Sequence, residues 1–147
     1  MSVEIRPGSA GDRDFIKSLL RDWHENTAWV PDVYKGDEFA NLAQLLVDRC
    51  DTKILEGPNG PLGFIAMQSS TIQGLFVAPS ERGKGIGGFV INHLKETYKE
   101  LRLWVLEANH QAIEFYEALG FQHLPGGSAV ANEFDLPERE YRWRKHV

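Results

Sequence analysis

Residues 71–99 read TIQGLFVAPSERGKGIGGFVINHLKETYK, and the fold turns on this stretch. Ile72, Leu75, Phe76 and Val77 give it the start of a buried strand. Ala78-Pro79-Ser80-Glu81 then reads as a turn, followed by the glycine-rich run Arg82-Gly83-Lys84-Gly85-Ile86-Gly87-Gly88. An amphipathic helix follows, with Ile86, Val90 and Leu94 four apart and Phe89 and Tyr98 beside them. Glycine lets a backbone approach a ligand closely, and the first N–H groups of a helix have no partner inside it. A glycine loop that opens a helix therefore suits a phosphate group. Arg82 and Lys84 add positive charge where that phosphate would sit. The full G-x-G-x-x-G dinucleotide fingerprint with its acidic partner is missing, and no Gly-Lys-Ser/Thr marks a P-loop.

Downstream, residues 101–106 are apolar on both faces, with Leu101, Leu103 and Val105 alternating with Trp104 and Leu106. That pattern predicts a central strand, and the strand-helix-strand order predicts that it lies parallel to the strand at 71–77. Asn109 can cap a last helix whose apolar face is Ala112, Ile113, Phe115, Tyr116 and Leu119, with Gly120 as its stop. Residues 121–124 and 140–143 are strand-like and flank a loop rich in Gly and Ala.

Upstream, Val3-Glu4-Ile5-Arg6 alternates like a half-exposed strand and ends at Pro7-Gly8. Ser9 and Asp12 fit a capping box for a first helix over about residues 10–25, carrying Phe15, Ile16, Leu19, Leu20 and Trp23. Asp37 can cap a second helix that turns Phe39, Leu42, Leu45 and Leu46 inward and ends near Cys50. A strand at 53–56, the turn Gly57-Pro58-Asn59-Gly60 and a strand at 62–68 then read as a hairpin, since Asn-Gly suits turns with positive φ. With the strand at 71–77 they predict an antiparallel meander.

The chain has 147 residues, which suits one domain over 1–147, with no repeat and no linker. A net charge of −5 argues against nucleic acid as a partner and favours one small anionic ligand at a locally basic loop. The single Cys50 excludes an internal disulfide and a Cys-based zinc site. His24, His93, His123 and His146 show no ligand spacing, so no metal is inferred. The opening MSVEIRPG lacks the regions of a signal peptide, and no apolar run suits a membrane span. A cytoplasmic protein is the expectation.

LFVAPSERGKGIG at 75–87 and WVLEANHQAIEFYEALGF at 104–121 occur in one order and at one separation. Together they resemble the GNAT superfamily of acetyl-CoA-dependent N-acetyltransferases. The resemblance covers most of the chain but is specific only between Leu75 and Phe121. It implies an α/β fold: a mixed, mostly antiparallel central sheet, splayed at a parallel strand pair and flanked by helices. It implies that Arg82, Gly83, Lys84, Gly85, Ile86, Gly87 and Gly88 hold the pyrophosphate of coenzyme A. It further implies that Leu75, Phe76 and Val77 pair with the pantetheine arm, that the Val77 N–H polarises the thioester carbonyl, and that Asn109 contacts the same arm. Tyr116 falls where such enzymes place a tyrosine that protonates the departing thiolate; packing in a helix face is its other reading.

The base is not marked. Where some relatives carry a Glu ahead of the strand end, this chain has Gln73, which cannot serve. Glu107, His110 and a water relay stay open. Trp23, His24, Glu25, Trp29 and Tyr34 form either core and surface loop or, as the resemblance implies, a wall of the acceptor site. With the carboxylates Glu25, Asp32 and Asp37, those aromatics would suit a cationic amine. The expected reaction is acetyl transfer to a primary amine of a small molecule by direct attack. The alternatives are a protein acetyltransferase acting on lysine or an N-terminus, and a non-catalytic acyl-CoA sensor. Tyr141 and Trp143 on the last strand would support a homodimer if exposed, or belong to the core.

Overall fold

A computed structural model describes residues 2–125, 132 and 134–146. In chain order the elements are β1 (Glu4–Pro7), α1 (Arg13–Glu25), α2 (Glu38–Arg49), β2 (Asp51–Gly57), β3 (Gly60–Gln68) and β4 (Thr71–Val77). Then come α3 (Ile86–Thr97), β5 (Glu100–Leu106), α4 (His110–Ala118), β6 (Gln122–Leu124) and β7 (Glu138–Arg144). The strands form one mixed sheet in the order β1-β2-β3-β4-β5-β7-β6. β1–β2, β2–β3, β5–β7 and β6–β7 are antiparallel. β4 and β5 are parallel, in the register Thr71↔Arg102 and Ile72↔Leu103. The mixed α/β class and the parallel pair are as expected.

The chain forms two compact units, Met1–Gln68 with Gln73–Gly87 and Ser69–Ile72 with Gly88–Val147. The first has a core of Ile16, Leu19 and Leu20 from α1, Phe39 and Ala43 from α2, and Ile54, Phe64 and Ala66 from the sheet. Each such large side chain contributes about 1.5–3 kcal/mol through burial. α1 buries its i, i+3, i+4 stripe, as its sequence predicts. Its start is a short 3-10 turn at Ala10–Asp12 rather than regular helix, so the helix proper begins three residues later than expected. The expected capping box is present at this turn, where the Asp12 carboxylate accepts the Ser9 N–H at 2.9 Å and also pairs with Arg6.

On α2, Phe39 is buried and Leu42 and Leu46 pack against the core, but Leu45 is 50% exposed. Its expected inward position is corrected: Ala43 takes the buried place on that turn. The hairpin forms with Gly57 opposite Gly60. Only Gly60 takes a positive φ (128°). The hairpin turn and its positive φ are thus as the Asn-Gly pair predicts, and the register shifts once, at Leu55/Glu56.

In the second unit Leu101, Leu103 and Val105 are buried on one face of β5. Trp104 is 41% exposed on the other, which corrects the reading of β5 as apolar on both faces. The same face carries ion pairs, with Arg102 reaching Glu100 and Glu140 at 3.3 and 3.2 Å. α4 ends in a Schellman motif: Phe121 N–H donates to Tyr116 O and Gly120 N–H to Glu117 O, each at 3.1 Å, with Gly120 at φ 91°. β7 is paired on both sides, to β5 and β6, and Tyr141 is fully buried. It is therefore no exposed last strand, and the ground for a homodimer through it is removed. Most of the Gly/Ala-rich loop before β7 lies outside the described residues.

Candidate functional site

β4 ends with Leu75, Phe76 and Val77 half-buried. Phe76 stacks on Phe64 at 5.2 Å and meets the edge of Trp23 at 6.1 Å; Trp23 in turn meets Trp29 at 6.0 Å. Beside this strand end β3 carries Gly63. A Cβ there would overlap the Phe76 carbonyl oxygen and lie 3.1 Å from Val77 Cα. Glycine at 63 is thus what lets the two backbones approach.

Past Val77 the chain turns through a 3-10 turn at Pro79–Glu81, closed by Glu81 N–H to Ala78 O at 2.8 Å. Gly83 and Gly85 follow at φ 77° and 81°, the left-handed region that costs L side chains about 1–2 kcal/mol. They let the loop double back into α3. A Cβ placed at Gly83 or at Gly88 would meet nothing within 4 Å, so the backbone stands open at both. Ile86 is buried and anchors the start of α3, whose first turn carries no acidic residue. An open glycine backbone, orphan helix N–H groups and an acid-free first turn fit an anionic group such as a phosphate.

The two basic side chains of the loop do not stand free. Lys84 Nζ is 3.1 Å from Glu81 Oε2, with 61% of its side chain exposed. Arg82 Nε donates to Val77 O at 3.1 Å, and its Nη2 lies 3.6 Å from Asp22 Oδ2.

In the second unit Asn109 is the N-cap of α4, its Oδ1 accepting Ala112 N–H at 3.2 Å. Tyr116 is buried, with its ring edge-on to Phe115 at 5.0 Å and to Phe121 at 5.3 Å. Burial pushes its hydroxyl well above the ordinary tyrosine value, so it stays protonated throughout the neutral range. Gln73, which stands in place of a carboxylate base, is exposed and donates to Gln68 Oε1 at 3.2 Å. Glu107 lies 3.5 Å from Arg139 Nε, and His110 is exposed on the first turn of α4.

The first unit thus brings together Leu75, Phe76, Val77, Arg82, Gly83, Lys84, Gly85, Ile86 and Gly87, while Gly88, Asn109 and Tyr116 belong to the second. Two residues at the strand end carried no local signal. Gly63 is a glycine within an apolar strand, and Asp22 is one of three carboxylates on α1.

The sequence profile of the acetyltransferase (GNAT) family matches residues 3–121. The chain belongs to the GNAT acetyltransferase family. It is an N-acetyltransferase of a family that uses acetyl-CoA. The peptidyl-lysine N-acetyltransferase YiaC of Escherichia coli (strain K12) is 28% identical over 136 residues, covering 89% of this chain and 92% of that protein. The peptidyl-lysine N-acetyltransferase YjaB of Salmonella typhimurium is 36% identical over 118 residues, covering 78% and 81%. The solution structure of apo-form YjaB from Escherichia coli has the same fold, with a TM-score of 0.78 at 22% identity over 97% of this chain and 96% of that one. Among the described residues no helix is long and apolar enough to cross a membrane.

Proposed function

We propose that residues 1–147 act as one catalytic domain that moves acetyl from acetyl-CoA to a primary alkyl amine by direct attack. The observation that carries this is the run from β4 into an open, positive-φ glycine loop at the head of α3. In this reading the backbone N–H groups of residues 82–88 hold the pyrophosphate. Leu75, Phe76 and Val77 pair with the pantetheine arm, and the Val77 N–H polarises the thioester carbonyl. Asn109 adds a contact to the arm while keeping its cap.

The amine attacks the carbonyl carbon; the tetrahedral centre collapses, the C–S bond breaks, and Tyr116 hands its proton to the sulfur. Burial keeps this phenol protonated through the neutral range, and it also makes the phenol a weaker acid, so its help is modest. The attacking amine must first lose a proton, and in this reading a water relay takes it, with Glu107 and His110 as the other candidates. The aromatic group of Trp23, Trp29 and Phe76 suits an acceptor that arrives as an ammonium.

A free small molecule is the first reading for the carrier of that amine. A lysine side chain in a protein is the second, favoured by the names of the full-length relatives. Both present the same terminal ammonium on an alkyl arm. Rates with free alkyl diamines and lysine, set against lysine in unstructured peptides at equal concentration, separate them. Higher kcat/KM for the free amines supports the first reading, and higher kcat/KM for the peptides the second.

A further inference from the structure

Arg82 stands first in the glycine run, where sequence alone makes it a cation for the donor's phosphates. Its side chain instead turns back on the strand that precedes it. Nε donates to the carbonyl of Val77 at 3.1 Å. The N–H of the same peptide, contributed by Ala78, donates to Leu62 O at 2.7 Å. Both ends of the Val77–Ala78 peptide are therefore held, one by β3 and the other by Arg82. A peptide at a strand end swings easily when its carbonyl is free, and that swing moves the neighbouring amides.

The other prong of the guanidinium meets α1. Nη2 is 3.6 Å from Asp22 Oδ2, an oxygen shielded from solvent that takes no hydrogen bond. Asp22 is itself fixed, its Oδ1 accepting from Asn26 Nδ2 at 3.0 Å in the last turn of α1. The next residue, Trp23, lies edge-on to Phe76 of β4. One planar fork thus ties the strand end to the helix, a geometry that the point charge of a lysine cannot reproduce.

We propose that Arg82 is a positioning residue for acyl transfer: braced by Asp22, it fixes the Val77–Ala78 peptide and so presets the amides at the end of β4. This rests on the donor-site reading above and changes one part of it. The loop backbone, not the Arg82 side chain, meets the pyrophosphate.

Two donors separate the roles: acetyl-CoA, and S-acetylpantetheine, which has the arm but no pyrophosphate. Arg82→Gln should lower kcat by about tenfold or more with both donors, the scale of a displaced reacting centre. Affinity for CoA, read by calorimetry, should change by less than about threefold. Arg82→Lys should not restore the rate. Asp22→Asn keeps the acceptor for Asn26 and should lower kcat in the same sense, and Arg82→Gln added to it should cost less than it does alone.

A rate loss confined to acetyl-CoA, with CoA bound about tenfold more weakly, would make Arg82 a phosphate ligand and overturn the proposal. So would a lower unfolding midpoint with kcat unchanged in the folded fraction, or an unaffected kcat in Asp22→Asn. Unaltered CoA affinity in Gly85→Glu would overturn the donor-site reading itself, whereas the donor-specific loss overturns only the role given to Arg82.

Discussion

Arg6 and Asp12 meet in a two-pronged ion pair, Nη2 to Oδ1 at 2.9 Å and Nη1 to Oδ2 at 3.1 Å. The pair ties β1 to the turn that starts α1, and Asp12 is among the few buried charged residues of the first unit. The hydrogen bonds from Arg6 hold the Asp12 carboxyl below its ordinary value. In the unfolded chain this carboxyl takes up a proton near pH 4, and in the folded chain only at lower pH. Its contribution is therefore complete above about pH 4 and is lost as pH falls from there through the folded value. Asp12→Asn should cost about 1–2 kcal/mol at neutral pH, since Arg6 is part-exposed and its gain is screened. Urea unfolding at pH 7 and pH 3 checks this: the gap between wild type and variant should shrink at the lower pH.

Gly63→Ala tests the close approach of β3 and β4. The added methyl meets the Phe76 carbonyl, which is backbone and cannot turn aside. Overpacking of this kind costs about 1–3 kcal/mol. The displaced strand end should also lower kcat in the protein that remains folded. A urea midpoint and a turnover number equal to wild type would show that the strands have room to spare.

Much of this was legible in local sequence, and the reason differs from one element to the next. The strand at 71–77, the glycine loop and the helix after it are each specified by residues close in the chain, and so are the Asn109 cap and the Gly120 stop. The parallel β4–β5 pair followed from connection rules. What escaped depends on partners far away. β7 inserts between β5 and β6, a pairing set by the whole sheet rather than by residues 138–144. Leu45 and Trp104 fit apolar patterns yet face outward, because burial is decided by what packs opposite. At the site, the glycines announced themselves, but the turn of Arg82 toward Val77 and Asp22 did not. Its partner carboxylate lies 60 residues upstream.

Tyr116→Phe should remove the proton donor and keep the packing against Phe115 and Phe121. A thiolate is a good enough leaving group that the loss should slow turnover by about 10- to 100-fold rather than abolish it. CoA affinity should stay within about twofold. Because burial holds the phenol protonated, the wild-type kcat profile should show no basic limb from this group below about pH 10. A variant with unchanged turnover would remove Tyr116 from the reaction.

Direct attack requires donor and acceptor to be bound together. Initial rates at several fixed amine concentrations should give intersecting double-reciprocal lines, and mass spectrometry of the enzyme with acetyl-CoA alone should show no acetyl adduct. Parallel lines with an acetylated enzyme would mean a covalent intermediate.

The donor assignment rests on the backbone of the loop between β4 and α3, and Gly85 is its most exposed point of test. At φ 81° a side chain is strained there, and a carboxylate would face the phosphates of the donor. Calorimetric titration of CoA into folded Gly85→Glu is the direct measurement. Binding weakened by about a hundredfold or more, some 2.7 kcal/mol, is the result expected. Wild-type affinity in that variant would contradict the placement of acetyl-CoA on this loop.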